Sequence, residues 1–322
     1  MEILILHPGA LGDIILSLPA ITLLRRSSGL ARVTIAGNLD HLIPVVSGHA
    51  ERILSLSTLP LHRLYTQEEV PQEEISFWKS YDRIISWTGW GHPGFVRRLR
   101  EIQPDACVAA WKPVPGDPRH VSRIFADSLG PEFSGKELAP ARIFLNTAAH
   151  DEGRQWLRER GCDEGEMPIA IHPGAGSVEK RWPISRFIEL ARHAASRGRK
   201  VLIIEGPAEP GLAGQIAHAL APDQAVPVAG VPLTMLVPIL ERCSLFVGND
   251  SGIAHLAAAL AVPCVVLFGP TLPQYWAPLG PHVISLRYPQ GCMGCSSRGK
   301  RHTCLENIPV DEVIRHSALW GN

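Results

Sequence analysis

The chain alternates between short apolar runs and longer amphipathic segments. Glu2–Leu6 is a short apolar run, a glycine-containing turn follows it, and positions 13–26 then carry apolar residues at helical spacing. Further short apolar runs lie at 33–36, 83–87 and 106–110. Short apolar runs separated by helical segments are typical of parallel strands buried on both faces. We therefore predict a parallel α/β sheet in this part of the chain.

The same alternation restarts at Pro168. The patterns predict strands at 169–172, 200–204, 245–247 and 263–268, and helices at 185–197, 212–220, 234–242, 253–261 and 309–317. Two such series predict an α/β fold with two doubly wound domains, 1–160 and 161–322, and the terminal helix is a candidate to pack back on the first domain. Ligands of open parallel sheets bind at the carboxyl ends of the strands. We therefore expect the site in the cleft between the two domains.

Composition narrows the class of protein. The 322 residues are 45% hydrophobic and carry 31 basic and 31 acidic side chains. A formal charge of zero gives no electrostatic basis for binding nucleic acid. No secretory signal and no run of 18 apolar residues is present, so we expect a cytoplasmic protein without a membrane span.

The segment GNDSGIAH at 248–255 follows a predicted strand and opens a predicted helix. Ser251 is suited to cap that helix, and the N–H groups of its first turn can hold a phosphate oxygen. His255 follows four residues later, on the same side of the helix, and either donates to a pyrophosphate or packs against the loop. A capped helix with a buried histidine is the alternative interpretation.

Two further loops follow predicted strands. The segment HPGAGSVEKRWP at 172–183 carries a hydroxyl and cations, and Lys180 can neutralise a departing pyrophosphate. The alternative is a surface loop with solvated charges. In the N-terminal loop GALGD, Asp13 is either the cap of the first helix, which spacing alone favours, or a general base.

Taken in order, these segments resemble one family. The carriers of the resemblance are Gly12-Asp13, HPGAGSVEKRWP at 172–183, GNDSGIAH at 248–255, and FGPT at 268–271 with WAP at 276–278. They are similar to the ADP-heptose:lipopolysaccharide heptosyltransferases, glycosyltransferase family nine. The similarity is strongest over 169–279.

This resemblance implies a GT-B fold, with two facing Rossmann-like domains that bind an acceptor and a nucleotide sugar. It implies inverting transfer of a heptose-like sugar, with ADP-heptose as donor, no cofactor and no metal. The implied acceptor is the lipopolysaccharide core or another glycan or lipid-linked saccharide. Such an acceptor is compatible with peripheral contact of the protein at the inner membrane surface.

The resemblance also assigns roles to residues. Asp13 matches the proposed general base and Lys180 the phosphate-binding lysine. The implied donor-binding residues are Gly12, Gly176, Ser177, Lys180, Glu209, Val231, Asp250, Ser251, Gly252 and His255. Among these, Glu209 would contact the ribose and Val231 would lie near the adenine.

Other interpretations stay open. A nucleotide-sugar epimerase or hydrolase of the same fold, and a non-catalytic nucleotide-sugar-binding protein, are the alternatives to a transferase. The segment WTGWGH at 87–92 matches no family motif, and either stacks on a sugar or is a packed loop. Cys292, Cys295 and Cys304, with His302 nearby, either hold a zinc ion or are free thiols. Free thiols are the favoured interpretation, because only one CxxC is present.

Overall fold

A computed structural model describes residues 1–114, 116–162, 165–288 and 304–317. The chain divides into two compact units, Met1–Ile143 and Phe144–Asn322. Over the described ranges, no helix combines the length and hydrophobicity needed to cross a bilayer.

The first unit is a five-stranded parallel sheet with helices. Its strands are β1 (Glu2–Leu6), β2 (Arg32–Gly37), β3 (Arg52–Ser55), β4 (Arg83–Ser86) and β5 (Cys107–Val108). Its helices are α1 (Leu11–Ser27), α2 (Leu39–Leu42), α3 (His62–Tyr65), α4 (Gln72–Lys79), α5 (Pro93–Ile102) and α6 (Val121–Asp127). The strand order is β3-β2-β1-β4-β5.

The second unit is a six-stranded parallel sheet. Its strands are β6 (Ile169–His172), β7 (Val201–Ile204), β8 (Ala225–Val228), β9 (Leu245–Asn249), β10 (Cys264–Phe268) and β11 (Val283–Arg287). Its helices are α7 (Thr147–Arg158), α8 (Ile184–Ser196), α9 (Leu212–Ala217), α10 (Leu233–Glu241), α11 (Gly252–Ala259), α12 (Pro273–Trp276) and α13 (Val310–Ser317). The strand order is β11-β10-β9-β6-β7-β8.

Both sheets follow the doubly wound plan that the alternation predicted. In each, the chain starts at a central strand, winds to one edge, and returns to wind to the other. The direction of winding therefore changes between β1 and β4 in the first unit and between β6 and β9 in the second. At such a switch point the loops diverge and leave a crevice at the carboxyl ends of the strands.

The units divide between Ile143 and Phe144, whereas the sequence predicted a boundary at residue 160. Helix α7 packs against α10, and His150 Nδ1 lies 2.9 Å from Glu241 Oε2. These contacts make α7 part of the second unit. The terminal helix α13, a candidate for the first domain, also belongs to the second unit and packs against α8.

The predicted strands and helices are found, with ends shifted by a few residues. The strands that the sequence did not predict, β3, β8 and β11, all lie at sheet edges. An edge strand is paired on one side only and tolerates polar residues and proline. Pro227 interrupts β8, and Ser285 and Arg287 interrupt β11, so neither shows the continuous apolar run of a central strand.

Candidate functional site

The switch point of the second sheet brings together the loops that follow β6 and β9. His172, the last residue of β6, pairs with Gly248 of β9. The residues after these positions therefore leave the sheet side by side. They are the two segments, 172–183 and 248–255, in which the sequence predicted phosphate binding.

Lys180 and Asp250 form an ion pair across these two loops. Lys180 Nζ donates to Asp250 Oδ2 at 2.8 Å, and the Thr271 hydroxyl donates to the same oxygen at 2.6 Å. The Asp250 side chain is 7% exposed and that of Lys180 is 29% exposed. Asp250 therefore orients a lysine whose side chain remains partly exposed.

A second chain of hydrogen bonds runs from Ser251 through His172 to Glu209. His172 Nδ1 lies 3.1 Å from Ser251 Oγ, and His172 Nε2 lies 3.2 Å from Glu209 Oε1. The carboxylate can only accept, so Nε2 donates to it, and in the neutral ring Nδ1 then accepts the Ser251 proton. The histidine thus links the predicted phosphate loop to the loop that follows β7.

Glu209 is the anchor of this chain. Its side chain is buried, accepts from the Gly206 N–H at 2.9 Å, and lies 3.6 Å from the Arg181 guanidinium. Burial raises the pKa of Glu209, but the hydrogen bonds from His172 and Gly206 and the charge of Arg181 outweigh it and hold that pKa below its usual value. Glu209 is therefore ionised and firmly held.

Asn249 fixes the loops from beneath. It is fully buried; its Oδ1 accepts from the Trp182 N–H at 2.9 Å, and its Nδ2 donates to the Pro173 and Gly174 carbonyls at 2.8 and 3.2 Å. One side chain thus satisfies buried backbone groups on both sides of Lys180. Such groups are costly to leave unpaired.

Helix α11 begins at the site with Gly252, directly after Ser251. Ser251 is its N-cap, with Oγ 3.4 Å from the Ala254 N–H that it accepts. His255 is buried in the first turn. The capping that the sequence predicted is confirmed, and the first-turn N–H groups add a partial positive charge beside Lys180.

The other predicted donor contacts lie in neighbouring loops. Gly176 is exposed between β6 and the 3-10 helix Val178–Lys180, and Ser177 precedes that helix. Val231 is half-buried in the loop between β8 and α10. Their contact with a donor stays a prediction.

In the first unit, Asp13 lies in the first turn of α1. The helix begins at Leu11, with Gly12 as its second residue, and Asp13 Oδ2 accepts from the Ala10 N–H at 2.9 Å. Asp13 thus stabilises the helix N-terminus from the third helical position. The residue is half-buried.

His7 sits directly beneath this turn. Its ring is fully buried beside Trp87, Trp111 and Phe125, with centroids 5.2, 6.3 and 5.5 Å away. His7 Nδ1 accepts from the Gly9 N–H at 3.1 Å. Burial lowers the pKa of His7 to about 3, against a smaller opposing effect of the Asp13 backbone.

Gly9 is required by the closeness of this packing. A Cβ at Gly9 would lie 2.5 Å from Asp13 Cβ and 2.7 Å from His7 Cε1. The neutral histidine, the glycine and the aspartate therefore form one tightly packed turn at the carboxyl end of β1.

The segment at 87–92 divides between the two interpretations. Trp87 is fully buried in the aromatic cluster around His7, whereas Trp90 is 53% exposed. The loop is packed at its start and presents one indole at its tip.

Sequence reasoning singled out neither His172, Asn249 nor Thr271 as site residues. Each lay inside a segment already identified by its motif, and His172 also ends a predicted strand at the switch point. Strand position could therefore have identified His172. Of the cysteine cluster, Cys304 is buried, while Cys292, Cys295 and His302 lie outside the described residues.

Two Rossmann-like units, the second with a lysine at the switch point of its sheet, define a protein of the GT-B class. Residues 145–306 match the model of glycosyltransferase family 9 (heptosyltransferase). The lipopolysaccharide heptosyltransferase 2 of Salmonella typhimurium is 34% identical over 76% of this chain and 71% of that protein. The chain belongs to glycosyltransferase family 9, as its motifs predicted.

Two further proteins resemble this chain, one in sequence and one in structure. The lipooligosaccharide heptosyltransferase 2 of Haemophilus influenzae is 34% identical over 54% of this chain, which spans about half (52%) of that relative's length. The structure of the Escherichia coli ADP-heptose lipopolysaccharide heptosyltransferase II superposes with a TM-score of 0.78, at 19% identity, over 99% of this chain and 98% of that one. The predicted GT-B fold is confirmed.

The packing of Glu209 against Gly174 can be tested with paired glycine variants. A Cβ at Gly174 would overlap Glu209 Oε1 and lie 2.8 Å from His172 Nε2, whereas a Cβ at Gly176 meets nothing described within 4 Å. Gly174→Ala should lower the free energy of unfolding by about 1–3 kcal/mol through overpacking. Gly176→Ala should change it by less than about 0.5 kcal/mol. Urea denaturation measures both, and equal losses would contradict the packing described.

The buried neutral state of His7 predicts a pH dependence of stability. Its pKa falls from 6.5 to about 3 on folding, so the unfolded chain binds the extra proton between these values. Stability should therefore fall as pH decreases through this window, by up to about 1.4 kcal/mol per pH unit. His7→Asn, whose Oδ1 can still accept from Gly9, should reduce this slope. An unchanged slope of unfolding free energy against pH would contradict a neutral His7.

Proposed function

We propose that the chain is an inverting heptosyltransferase that moves a heptose-like sugar from ADP-heptose to a lipopolysaccharide-core or related glycan acceptor. The observation that carries the proposal is the ion pair between Lys180 and Asp250, which stands directly before Ser251, the N-cap of α11, at the switch point of the second sheet. The names of the relatives support the sugar and the pathway, and the name of the superposed Escherichia coli structure supports the adenine nucleotide.

The donor diphosphate would bind where Lys180 meets the first turn of α11. The Lys180 ammonium, oriented by Asp250, supplies a positive charge, and the first-turn N–H groups supply aligned dipoles. Both stabilise the negative charge that grows on the departing nucleotide diphosphate. This arrangement supports a transfer that needs no metal ion or other cofactor, because fixed protein charges act on the leaving group.

The acceptor reaction would use Asp13 as general base. An acceptor hydroxyl forms a new bond to the anomeric carbon from the face opposite the diphosphate. The bond to the diphosphate breaks with its electron pair, and the hydroxyl proton passes to the Asp13 carboxylate. A single displacement of this kind inverts the anomeric centre, and its oxocarbenium-like transition state needs no covalent intermediate.

The two alternatives from the sequence gain no support from the relatives, which are named as transferases. A peripheral contact at the inner membrane surface belongs to the same proposal, because a lipid-linked acceptor would be held there.

Product formation by purified protein, from ADP-heptose and a delipidated heptose-deficient core oligosaccharide in the presence of EDTA, tests the transfer and its metal independence together. Donor hydrolysis without transfer would favour the hydrolase alternative.

Lys180→Met tests the donor site because it keeps the aliphatic stem and removes the charge. It should lower kcat/KM for the donor by about 10²–10³, the range seen when one stabilising donor is removed. Lys200→Ala is the control, since Lys200 directly precedes β7, at the amino ends of the strands and away from the site, and donates to the Arg160 carbonyl at 3.3 Å. Steady-state kinetics and ADP titration calorimetry measure the effect. Wild-type ADP affinity and rate in Lys180→Met would exclude this role.

Asp13→Asn tests the base with little change of shape. The amide oxygen can still accept from the Ala10 N–H, but the side chain no longer takes a proton. Turnover should fall by about 10²–10⁴, the usual contribution of a general base. The dissociation constant of ADP should stay at the wild-type value. Turnover at the wild-type rate with bound donor would rule Asp13 out as the base.

A further inference from the structure

A cavity in the second unit opens at the amino ends of its strands. It encloses about 350 Å³ and is lined by the sheet, by α8 and by α13. Ile169 and Leu245, the first residues of β6 and β9, are paired neighbours in its lining. His172, the last residue of β6, belongs to the candidate site. The cavity and the candidate site therefore lie at opposite ends of one strand, and a ligand in the cavity leaves the candidate site free.

The inner wall of this cavity is apolar. Leu190 of α8, Val247 of β9 and Ile314 of α13 line it. Val247 is fully buried, so the cavity reaches into the hydrophobic core of the unit. A water molecule takes about 30 Å³, so the cavity has room for about a dozen atoms of that size. An apolar group of this size would be removed from water against these side chains, which favours its binding.

The rim of the cavity is cationic. Arg197 and Arg199, which follow α8, and His193 within it are the basic side chains, and the described residues of the lining include no aspartate or glutamate. Over the described ranges, neither arginine forms an ion pair, and Arg197 is exposed. The Arg199 guanidinium donates to the Met167 carbonyl at 3.0 Å and to the Ser244 hydroxyl, which are uncharged. Both guanidinium charges therefore remain without a neutralising carboxylate.

The ends of two helices act against these charges but do not cancel them. Helices α8 and α13 both end at the cavity, with Arg197 following the one and Ser317 ending the other. The carbonyl end of a helix carries about half a negative elementary charge, and its effect fades within one turn. Each guanidinium carries a full positive charge. The balance at the rim therefore favours an anion.

We infer that this cavity binds a free anionic amphiphile, a molecule with one carboxylate or phosphate head and one short apolar chain. Arg197 and Arg199 bind the head at the rim, and Leu190, Val247 and Ile314 pack against the chain. The two long chains of a membrane lipid exceed the volume available. The inference goes beyond the proposed function and does not depend on it, because the cavity is a second site that needs neither donor nor acceptor.

Octanoate is the probe, because it combines a carboxylate with a chain that fits the volume. Titration calorimetry with the intact chain should show one octanoate site. 1-Octanol, which lacks the charge, should bind at least about fivefold more weakly. Acetate, which lacks the chain, should show no binding at concentrations at which octanoate saturates. Absence of octanoate binding, or equal affinities for octanoate and 1-octanol, would overturn the inference.

A matched pair of arginine variants locates the head of the ligand. Arg197→Gln removes one charge at an exposed position and should raise the octanoate Kd about fivefold, the upper end of what an exposed ion pair contributes. Arg192→Gln is the control, since Arg192 lies on the same helix, donates to the Ala219 carbonyl at 3.1 Å and does not line the cavity. It should keep the wild-type Kd. An unchanged Kd in Arg197→Gln, or equal losses in both variants, would refute the site.

Three further measurements exclude other occupants. Saturating ADP should leave the octanoate Kd unchanged, and displacement by ADP would place octanoate at the candidate site instead. Arg197→Gln should sediment with phosphatidylglycerol vesicles to the same extent as wild type, and a loss would identify a membrane surface as the partner. Residues 318–322 follow Ser317 and lie outside the described residues. Tighter octanoate binding in Trp320→Ala would show that this segment competes for the cavity. Each of these contrary results would overturn the inference, whereas octanoate binding by a chain without transferase activity would leave it standing and sink only the proposed function.

Discussion

The second unit depends on the hydrogen bonds made by one buried amide, that of Asn249. Asn249 is the last residue of β9, and its side chain donates to the Pro173 and Gly174 carbonyls and accepts from the Trp182 N–H. The loop that contains Lys180 is therefore held at both of its ends by the neighbouring strand. Without this amide, three buried backbone groups would lose their partners, at a cost of the order of 1–3 kcal/mol each. The position of the Lys180–Asp250 pair follows from this constraint.

The two units solve the problem of holding a loop in different ways. In the second unit, polar side chains link one loop to the next, from Ser251 through His172 to Glu209. In the first unit, close packing has this role, because the neutral ring of His7 lies in an aromatic cluster and leaves no room for a side chain at Gly9. A polar network fits the diphosphate site that we propose for the second unit, and a packed neutral turn fits the carboxylate that we propose as the base in the first.

Much of the fold could be predicted because central parallel strands are apolar on both faces. The patterns of β1, β6 and β10 show this directly, since each is almost entirely buried. The edge strands β3, β8 and β11 were missed for the converse reason. The position of α7 was also missed, because its contact with α10 joins residues about ninety positions apart and leaves no local signal.

The sequence identified the loops of the candidate site, but not which of their side chains bond to one another. Glycines and a serine before an alanine-rich helix identified the segment of Ser251, and a lysine after a strand identified Lys180. The pairing of Lys180 with Asp250, and the link from His172 to Glu209, depend on which strands are neighbours in the sheet. Strand order is a property of the whole unit, so no single segment contains that information.

The final described segment has a consequence for shortened versions of the chain. Trp182 Nε1 donates to the Ile308 carbonyl at 3.1 Å, and the Arg186 guanidinium donates to the same oxygen. Leu305, Ile308, Val310 and Val313 complete the core around Trp182 and Phe187. A protein truncated after β11 would expose these aromatic rings to water and loosen the chain next to Lys180. The residues 305–313 thus cover the hydrophobic core of the second unit, and removing them for crystallisation would disturb that core.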